Sequence, residues 1–400
     1  MLTNDRQIDR RILLQADSLQ EVGWEVSILA MPLDSLVTVD DERVRRIGAS
    51  TKRFARKENR VLEAYRLFRR WLPMNGRVMR WMKSLAWRFI VDQEKFYLNL
   101  FLPEGRQHIA DVVVAHDLPM LSVGRTLAQV FNAALVYDSH ELFCEQEFSR
   151  GEQKNWAKIE QRHIGACDRV ITVNPSIARE LESRYGIEEV SVIHNAEKVA
   201  PLQERSWYLH DHFVIPHDHR VLLFQGGFSA GRNLDVLIES IALVRAEDVH
   251  LVLLGDGQLC GALSKLIVSK GLQRRVHIHQ AVPQHRLLEI TASADAGIIP
   301  YQATCLNNYY CTPNKLFEFI AAGLPILASD LPELQRLVAG NDIGQVRNLG
   351  SSLLIAEAIT DFFGDVKQMQ RWRDNLKAVR QALSWQQEGG KLQVIYEGLR

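Results

Sequence analysis

Short β-rich runs alternate with amphipathic, helix-like stretches along almost the whole chain. Helical stretches of ten or more residues between consecutive strands require parallel pairing. The pattern therefore predicts an α/β protein with two doubly wound, Rossmann-like parallel sheets and with ligand sites at the carboxyl ends of the strands. The predicted strands are 24–31, 111–115, 134–138, 169–173 and 190–193, followed by 221–225, 250–254, 276–279, 294–299 and 325–328.

The strands fall into two groups, and 400 residues are enough for two domains of ordinary size. A polar stretch at 195–220 between the groups is the predicted linker. Before the first predicted strand the sequence reads as a loop running into a helix. We therefore expect either a truncated start or a first sheet that lacks its first strand. The predicted domains are 1–196 with a basic helical insert at 43–98, then 197–383, and a helix at 384–400 that packs back on the N-terminal domain.

Composition excludes several classes of function. The 48 Lys and Arg residues balance 48 Asp and Glu residues, so nucleic acid is not an expected partner. Five cysteines without a C-x-x-C spacing indicate neither a disulfide framework nor a structural zinc site. The charged start is unlike a secretory signal, and no apolar run is long enough to span a membrane. We expect a cytoplasmic protein.

Positive charge is concentrated in one segment, 43–95, which holds 16 Lys and Arg residues against four acids. On a helix Trp81 lies on an apolar arc, while Arg77, Arg80 and Arg88 fill the adjoining arc. A basic face beside an aromatic face is typical of a helix on an anionic membrane surface. The pattern predicts peripheral binding to the inner face of the cell membrane. The alternative is an apolar arc packed on its own domain, with solvated cations.

The segment TPNKLFEFIAAGLPILASD contains the sharpest local motif. Thr312 is predicted to cap a helix that has Pro313 at its first position, so that the backbone N–H groups around Asn314 and Lys315 can hold a phosphate. Glu318 can accept hydrogen bonds from two ribose hydroxyls. The alternative is a capped helix with an exposed Lys315 and Glu318.

A glycine-rich loop, GGFSAGRN, follows the predicted strand 221–225. Gly226 and Gly227 allow a ligand to approach the backbone, and Arg232, predicted to open the next helix, offers a planar fork for a diphosphate. A second run, GDGQLCG at 255–261, begins like a dinucleotide fingerprint. The acid expected about 20 residues further on is absent, so NAD is not an expected ligand.

In the first half, two strands end in AHDLP and YDSHELF. His116, Asp117, His140 and Glu141 are then expected at one edge of the sheet, where an imidazole can hydrogen-bond a sugar hydroxyl or a developing charge. The alternative for each histidine is a structural role. The spacing matches neither H-E-x-x-H nor a facial triad, so no metal is expected.

Taken in order, these motifs resemble those of the family-4 retaining glycosyltransferases of the GT-B fold, in the subgroup with P-N-K-L-F-E. The resemblance implies two domains facing a cleft, with a UDP- or GDP-linked sugar donor held mainly by the second and an acceptor by the first, and no metal or other cofactor. It also implies that Glu318 binds the ribose, Arg232 the diphosphate and His140 the region of the donor sugar, and that Asn195 is structural. The matching segments are AHDLP, YDSHELF, DRVITVNPSIARELESRYG, VSVIHNAE, FQGGFSAGRNLDVLIES, LVLLGDGQL, ADAGIIPY and PNKLFEFIAAGLPILASD.

Two positions depart from the family pattern. Tyr310 stands where the family has the first of two acids, and Arg232 is the one cation where two are usual. We expect a hexosyltransferase-type enzyme (EC 2.4) that transfers sugar with retention to a saccharide or lipid-linked acceptor, in bacterial surface polysaccharide or glycolipid assembly. The alternatives are a catalytically inactive GT-B subunit, which the two departures favour, and a UDP-sugar 2-epimerase.

Overall fold

The computed structural model describes residues 1–32, 41–47, 92–199, 201 and 206–399. They form two compact units, Met1–Ile193 with Gly389–Arg400, and His194–Glu388. Each unit contains one parallel β-sheet with helices packed against it. The prediction of an α/β chain with two parallel sheets is confirmed.

In the first unit the strand order is β3-β2-β1-β4-β5-β6-β7, and every pair of neighbours is parallel. The strands are β1 (Leu2–Thr3), β2 (Ile28–Ala30), β3 (Val44–Arg46), β4 (Val112–His116), β5 (Ala134–Ser139), β6 (Arg169–Thr172) and β7 (Ser191–Val192). The helices are α1 (Arg10–Glu21), α2 (Gln93–Gly105), α3 (Leu118–Phe131), α4 (Arg150–His163) and α5 (Pro175–Tyr185).

The expectation that the first sheet lacks its first strand is wrong. Leu2 and Thr3 form a two-residue strand in the middle of the sheet, paired with β2 on one side and with Ala115 of β4 on the other. Both residues are buried. Two residues are too few to show a hydrophobic period, which explains why the sequence pattern missed them.

In the second unit the strand order is β10-β9-β8-β11-β12-β13, again with parallel neighbours. The strands are β8 (Arg220–Gln225), β9 (Val249–Leu254), β10 (Val276–His279), β11 (Ala296–Ile299), β12 (Ile326–Ser329) and β13 (Gly344–Arg347). The helices are α6 (Tyr208–Phe213), α7 (Leu234–Ile241), α8 (Cys260–Ser269), α9 (Gln284–Thr291), α10 (Leu306–Tyr309), α11 (Asn314–Ala322), α12 (Pro332–Leu334), α13 (Ser352–Gly364), α14 (Val366–Ala382) and α15 (Trp385–Glu397).

The strand order reverses once in each sheet. The reversal lies between the neighbouring strands β1 and β4 in the first unit, and between β8 and β11 in the second. Open parallel sheets bind ligands outside the carboxyl ends of the strands at such a switch point. The topology therefore indicates one candidate ligand edge in each unit.

Residues outside the two sheets complete the units. The stretch predicted as a linker carries α6, which belongs to the second unit. From Gly389 onward α15 belongs to the first unit, where the ring of Tyr396 contacts that of Trp24 edge to face, with a centroid distance of 6.1 Å, and Gln393 donates a 2.8 Å hydrogen bond to the Ser18 carbonyl.

None of the helices in the described ranges is long and apolar enough to cross a membrane. The membrane residues predicted from the sequence, Arg77, Arg80, Trp81 and Arg88, lie outside the described ranges.

Candidate functional site

The glycine-rich loop of the second unit follows β8, directly at the switch point. Gly226 has φ of 116°, a conformation that side chains rarely adopt, and a Cβ atom there would lie 3.2 Å from Lys315 Nζ. The loop after β9 packs against it so closely that a Cβ atom at Gly255 would lie 2.0 Å from the Gly226 carbonyl oxygen. The glycine at the start of GDGQLCG is therefore required for backbone packing.

Lys315 lies in the first turn of α11 with only 5% of its surface exposed. Its ammonium nitrogen is 2.6 Å from the Tyr301 hydroxyl and lies 4.2 Å and 4.5 Å from the ring centroids of Phe224 and Tyr301. Burial, reinforced by the nearby Arg232, holds the pKa of Lys315 well below its usual range. The structure thus places a buried amine beside the glycine loop.

Arg232, in the glycine-rich loop after β8, contacts the same tyrosine. Its guanidinium carbon lies 4.0 Å from the centroid of the Tyr301 ring. The helix predicted to open at Arg232 begins at Leu234, because Asn233 adopts a left-handed conformation and donates to the Leu349 carbonyl at 2.9 Å. Tyr301, which was not predicted as a site residue, therefore joins Arg232 and Lys315 in one cluster.

Glu318 is also buried, with 8% of its surface exposed. The Gln225 side-chain amide donates a short hydrogen bond to its carboxylate, and the oxygen of that amide accepts from the Thr291 hydroxyl at 2.8 Å. The alternative of a helix with an exposed Lys315 and Glu318 is therefore wrong. Gln225 ends β8, so the carboxylate is fixed at the strand end where the glycine loop begins.

The start of α11 differs from the prediction. Pro313 has ψ of 146°, so it is the N-cap, the helix begins at Asn314, and Thr312 does not cap it. Thr312 is buried, and its carbonyl accepts a 3.4 Å hydrogen bond from the Asn195 side chain. Asn314 and Lys315 then occupy the first turn, where helix N–H groups lack intrahelical acceptors.

In the first unit, β4 and β5 bring two histidines onto one aspartate. Asp138 Oδ2 lies 3.0 Å from His116 Nδ1 and 2.9 Å from His140 Nε2, and it accepts a 2.7 Å hydrogen bond from Gln15. All four side chains are buried. Asp138 and Gln15 were not predicted as site residues, although Asp138 lies within the YDSHELF motif.

Electrostatics separate the roles of the two rings. Burial disfavours a charged His140, but the Asp138 carboxylate, its hydrogen bond to the ring and the Asp117 carboxylate together raise the pKa of His140 to about 9. Burial lowers the pKa of His116, so this ring is neutral near pH 7. Burial would raise the pKa of Asp138, yet His140 and His116 hold it well below its usual range. The cluster therefore contains one imidazolium, one carboxylate and one neutral imidazole.

Asp117 lies at the same edge of the sheet and is more accessible than His140, with 22% of its side chain exposed against 4%. It has φ of 60°, which costs a non-glycine residue about 1 kcal/mol or more and often marks a functional position. Its carboxylate accepts from the backbone N–H of His140 at 3.0 Å. Desolvation by burial raises the pKa of Asp117 to about 7. Glu141, by contrast, accepts from Gln146.

Among the described residues, one set of potential metal ligands has suitable spacing: the ligand atoms of His116, Asp138 and His140 lie within 4.8 Å of one another. One oxygen of Asp138, however, already accepts hydrogen bonds from both rings and from Gln15. A cation would have to displace these three donors. The geometry thus fits a hydrogen-bonded cluster, and the sequence-based expectation of a reaction without metal stays a prediction.

Two family models match consecutive parts of the chain. Residues 8–196 match the model described as a glycosyl transferase 4-like domain. Residues 219–365 match the model described as glycosyl transferases group 1. The first match falls on the unit with the histidine cluster, and the second on the unit with the glycine loop and α11.

Two curated relatives are similar over part of the chain. The chitobiosyldiphosphodolichol beta-mannosyltransferase of Candida albicans is 20% identical over 210 residues, which cover 49% of this chain and 45% of that protein. The chain thus spans less than half the length of this relative. The D-inositol 3-phosphate glycosyltransferase 1 of Catenulispora acidiphila is 24% identical over 307 residues, which cover 72% of each protein.

Solved structures match over the whole chain. A sucrose-phosphate synthase from Thermosynechococcus elongatus has a TM-score of 0.73 at 17% identity, with coverage of 100% of this chain and 98% of that one. The Anabaena protein HepE, in complex with UDP and glucose, has a TM-score of 0.70 at 15% identity, with coverage of 99% and 98%. At these identities the similarity concerns the fold.

Proposed function

Because the chain belongs to the glycosyltransferases of the GT-B fold, we propose that it transfers a sugar from a nucleotide-sugar donor to an acceptor hydroxyl with retention. The observation that carries this proposal is the grouping at the switch point of the second sheet. There a buried carboxylate, two basic side chains and a glycine loop lie together at the carboxyl end of β8.

Each group suits one part of a nucleotide sugar. Glu318, held by Gln225, is the acceptor for two ribose hydroxyls. Arg232 and Lys315, with Gly226, Gly227 and the N-terminal turn of α11, are the groups for the diphosphate. The side chains of Arg232 and Lys315 both lie against the ring of Tyr301, which keeps them near each other.

The chemistry that follows is stabilisation of the leaving group. As the bond between the sugar and the phosphate breaks, negative charge grows on the diphosphate, and the two cations and the helix terminus lower the energy of that state. The leaving phosphate oxygen takes the proton of the acceptor hydroxyl, so no enzyme base is assigned. In the first unit we assign His140 to the donor sugar, and His116, Asp117 and Glu141 to sugar or acceptor hydroxyls.

The substrate classes follow from the same reasoning. HepE binds UDP and glucose in its structure, and the Candida relative is named for a dolichol-linked acceptor. We propose a UDP- or GDP-linked hexose donor and a saccharide or lipid-linked acceptor, in bacterial surface polysaccharide or glycolipid assembly. The place of action proposed is the cytoplasmic face of the cell membrane.

The experiment is a donor screen with the purified protein. UDP- and GDP-linked hexoses are incubated without acceptor and with lipid-linked or free saccharides, while nucleoside diphosphate release and the donor are followed by NMR. We expect slow hydrolysis of one donor, faster release with an acceptor, and the anomeric configuration of the donor retained in the product. An isomerised donor would instead indicate an epimerase, and a product of opposite configuration would contradict retention.

A second candidate is a catalytically inactive subunit. Tyr310 is the C-cap of α10, and its ring centroid lies 5.0 Å from that of Tyr309. It stands where the family pattern has an acid. A tyrosine does not supply the negative charge that such an acid offers to sugar hydroxyls. Nucleotide binding without turnover of any donor in the same screen would favour this candidate.

A further inference from the structure

Lys315 carries a buried amino group whose surroundings disfavour its charged form. Among the described residues its nitrogen has one hydrogen-bond partner, the Tyr301 hydroxyl, and it also lies over the ring faces of Phe224 and Tyr301. Its contacts in the described part of the chain include no ion pair with a carboxylate, and Glu318 acts on it only through longer-range electrostatic attraction. Burying an unpaired charge is costly, and a lysine in such a place sheds its proton.

The charged and titratable groups around Lys315 come from three directions. Arg232, before α7, adds a second positive charge on the same tyrosine ring and disfavours a charged Lys315. Glu318, on the same helix, favours it, but this carboxylate is hydrogen-bonded to Gln225. The loop between β11 and α11 contributes Cys311, whose pKa burial raises to about 12, and Tyr301, whose pKa burial also raises. Both are neutral near pH 7, so neither balances the two cations.

We propose, on the basis of the function proposed above, that Lys315 is the second diphosphate-binding cation of this enzyme, and that it is uncharged in the empty site and takes up one proton when the donor binds. The family pattern places this cation in the loop after β8, where this chain has only Arg232. Here α11 supplies it from the other side of the glycine loop. The position of Lys315 Nζ beside the glycine loop, 3.2 Å from where a Cβ atom at Gly226 would lie, supports this assignment, as does the lowered pKa of Lys315.

The proton balance is simple. The free amine of Lys315, one proton from the buffer and a diphosphate diester with two negative charges give an ammonium ion bound to the diester. The bound anion supplies the counter-charge that the empty site lacks, so the pKa of Lys315 rises on binding. Because binding takes up protons, affinity must fall as the pH rises, by up to about tenfold per pH unit where a full proton is taken up.

The test is calorimetric titration of the full chain with UDP-glucose and GDP-mannose at pH 7.5, in PIPES and in Tris buffer. The phosphates of a nucleotide sugar carry no proton to release near this pH, so the difference in enthalpy between buffers counts protons taken up by the protein. We expect close to one proton per bound nucleotide sugar and none for uridine or guanosine.

Variants separate Lys315 from other groups. Lys315→Met should abolish the uptake and weaken nucleotide-sugar binding by about tenfold or more, because a charge-assisted contact is lost. Lys265→Met, at an exposed lysine of α8 in the same unit, should change neither quantity. Thermal melting of both variants checks that they are folded, and the uptake by wild type needs no variant.

Two results would overturn the proposal. Binding of a nucleotide sugar without proton uptake, or with the same uptake in folded Lys315→Met, would refute the role of Lys315 and leave the proposed glycosyltransferase function intact. Failure of every UDP- and GDP-sugar to bind wild type would contradict that function, and the inference with it.

Discussion

At the scale of single residues, Glu318 and Lys315 show how one turn of helix can present opposite chemistry to a ligand. Both are buried at the start of α11, yet the carboxylate is held by Gln225 while the amine faces aromatic rings and the glycine loop. Their partners come from β8 and from the loop after β11. A substitution at either position should therefore act on ligand binding as well as on local packing.

Glu318→Ala should weaken binding of UDP or GDP. Ribose hydroxyls that lose a charged acceptor in a buried site cost about 1.5 to 3 kcal/mol, which is roughly a 10- to 150-fold change in Kd. Titration calorimetry measures it, with Glu289→Ala, at an exposed glutamate of α9, as the matched control. Glu318→Gln keeps the bulk and checks that the loss does not come from unfolding. Unchanged affinity in both folded Glu318 variants would remove this residue from the site.

At the scale of secondary-structure elements, the second sheet carries a ladder of histidines near the amino ends of β8, β9 and β10. His219 Nδ1 lies 2.9 Å from His250 Nε2, and His250 Nδ1 lies 3.3 Å from His277 Nε2. Burial, with the neighbouring histidine charges, lowers the pKa of His250 to about 4, and burial lowers that of His277 to about 4. The rings of His250 and His277 therefore stay neutral in the folded protein at pH values where the histidines of an unfolded chain bind protons.

The ladder predicts a loss of stability in weak acid. An unfolded histidine has a pKa of about 6.5, so between about pH 6.5 and pH 4 the unfolded state binds more protons and the free energy of unfolding falls with pH. Above that window the contribution of the ladder is complete. Urea denaturation at pH 7.5, 6 and 5 measures the slope.

A non-titrating variant tests the origin of that slope. His250→Gln should make the free energy of unfolding less dependent on pH across the window, because one proton-binding difference is removed. His285→Gln, at an exposed histidine of α9, is the matched control and should keep the wild-type slope. Identical slopes for wild type and His250→Gln would show that other groups cause the acid sensitivity.

At the scale of the whole molecule, the distribution of charge distinguishes one segment, residues 43–95, from the rest of the chain. The chain has no formal net charge, yet 16 of its 48 basic residues lie between positions 43 and 95. The described parts of both units carry their candidate ligand groups at strand ends, with cores of their own. A role for the basic segment in binding a surface is therefore additional to the sugar-transfer site.

We predict that the protein binds anionic membranes in a salt-sensitive way. Co-sedimentation with vesicles containing anionic lipid should be strong at low salt and largely lost toward about 1 M salt, where the Debye length is about 3 Å. Arg77, Arg80 and Arg88 changed together to Glu should mimic high salt, and Trp81→Ala should weaken binding at any salt.

The controls are neutral vesicles and a matched charge reversal elsewhere. Arg245, Lys265 and Arg274, exposed residues of the second unit, changed together to Glu should leave vesicle binding close to wild type. Wild type that remains in the supernatant with anionic vesicles at low salt would show that the basic segment does not serve a membrane.

The sequence by itself determined the class of fold and the places where chemistry is grouped. Each of the ten predicted runs overlaps an observed strand, because hydrophobic period and turn chemistry are local properties of consecutive residues. The short strands Leu2–Thr3, Val44–Arg46 and Gly344–Arg347 were missed, since each contains a single large apolar residue and so offers no β-rich run.

Only the tertiary structure decided which side chains meet. That Asp138 accepts from two histidines, that Tyr301 carries Arg232 and Lys315, and that Pro313 displaces Thr312 as the cap of α11 depend on strand order, register and loop path. Burial also became visible only there, and it ruled out the alternative of an exposed Lys315 and Glu318. The physical reason is that proximity and desolvation, which set pKa and affinity, arise between residues far apart in the chain, whereas sequence patterns report on neighbours.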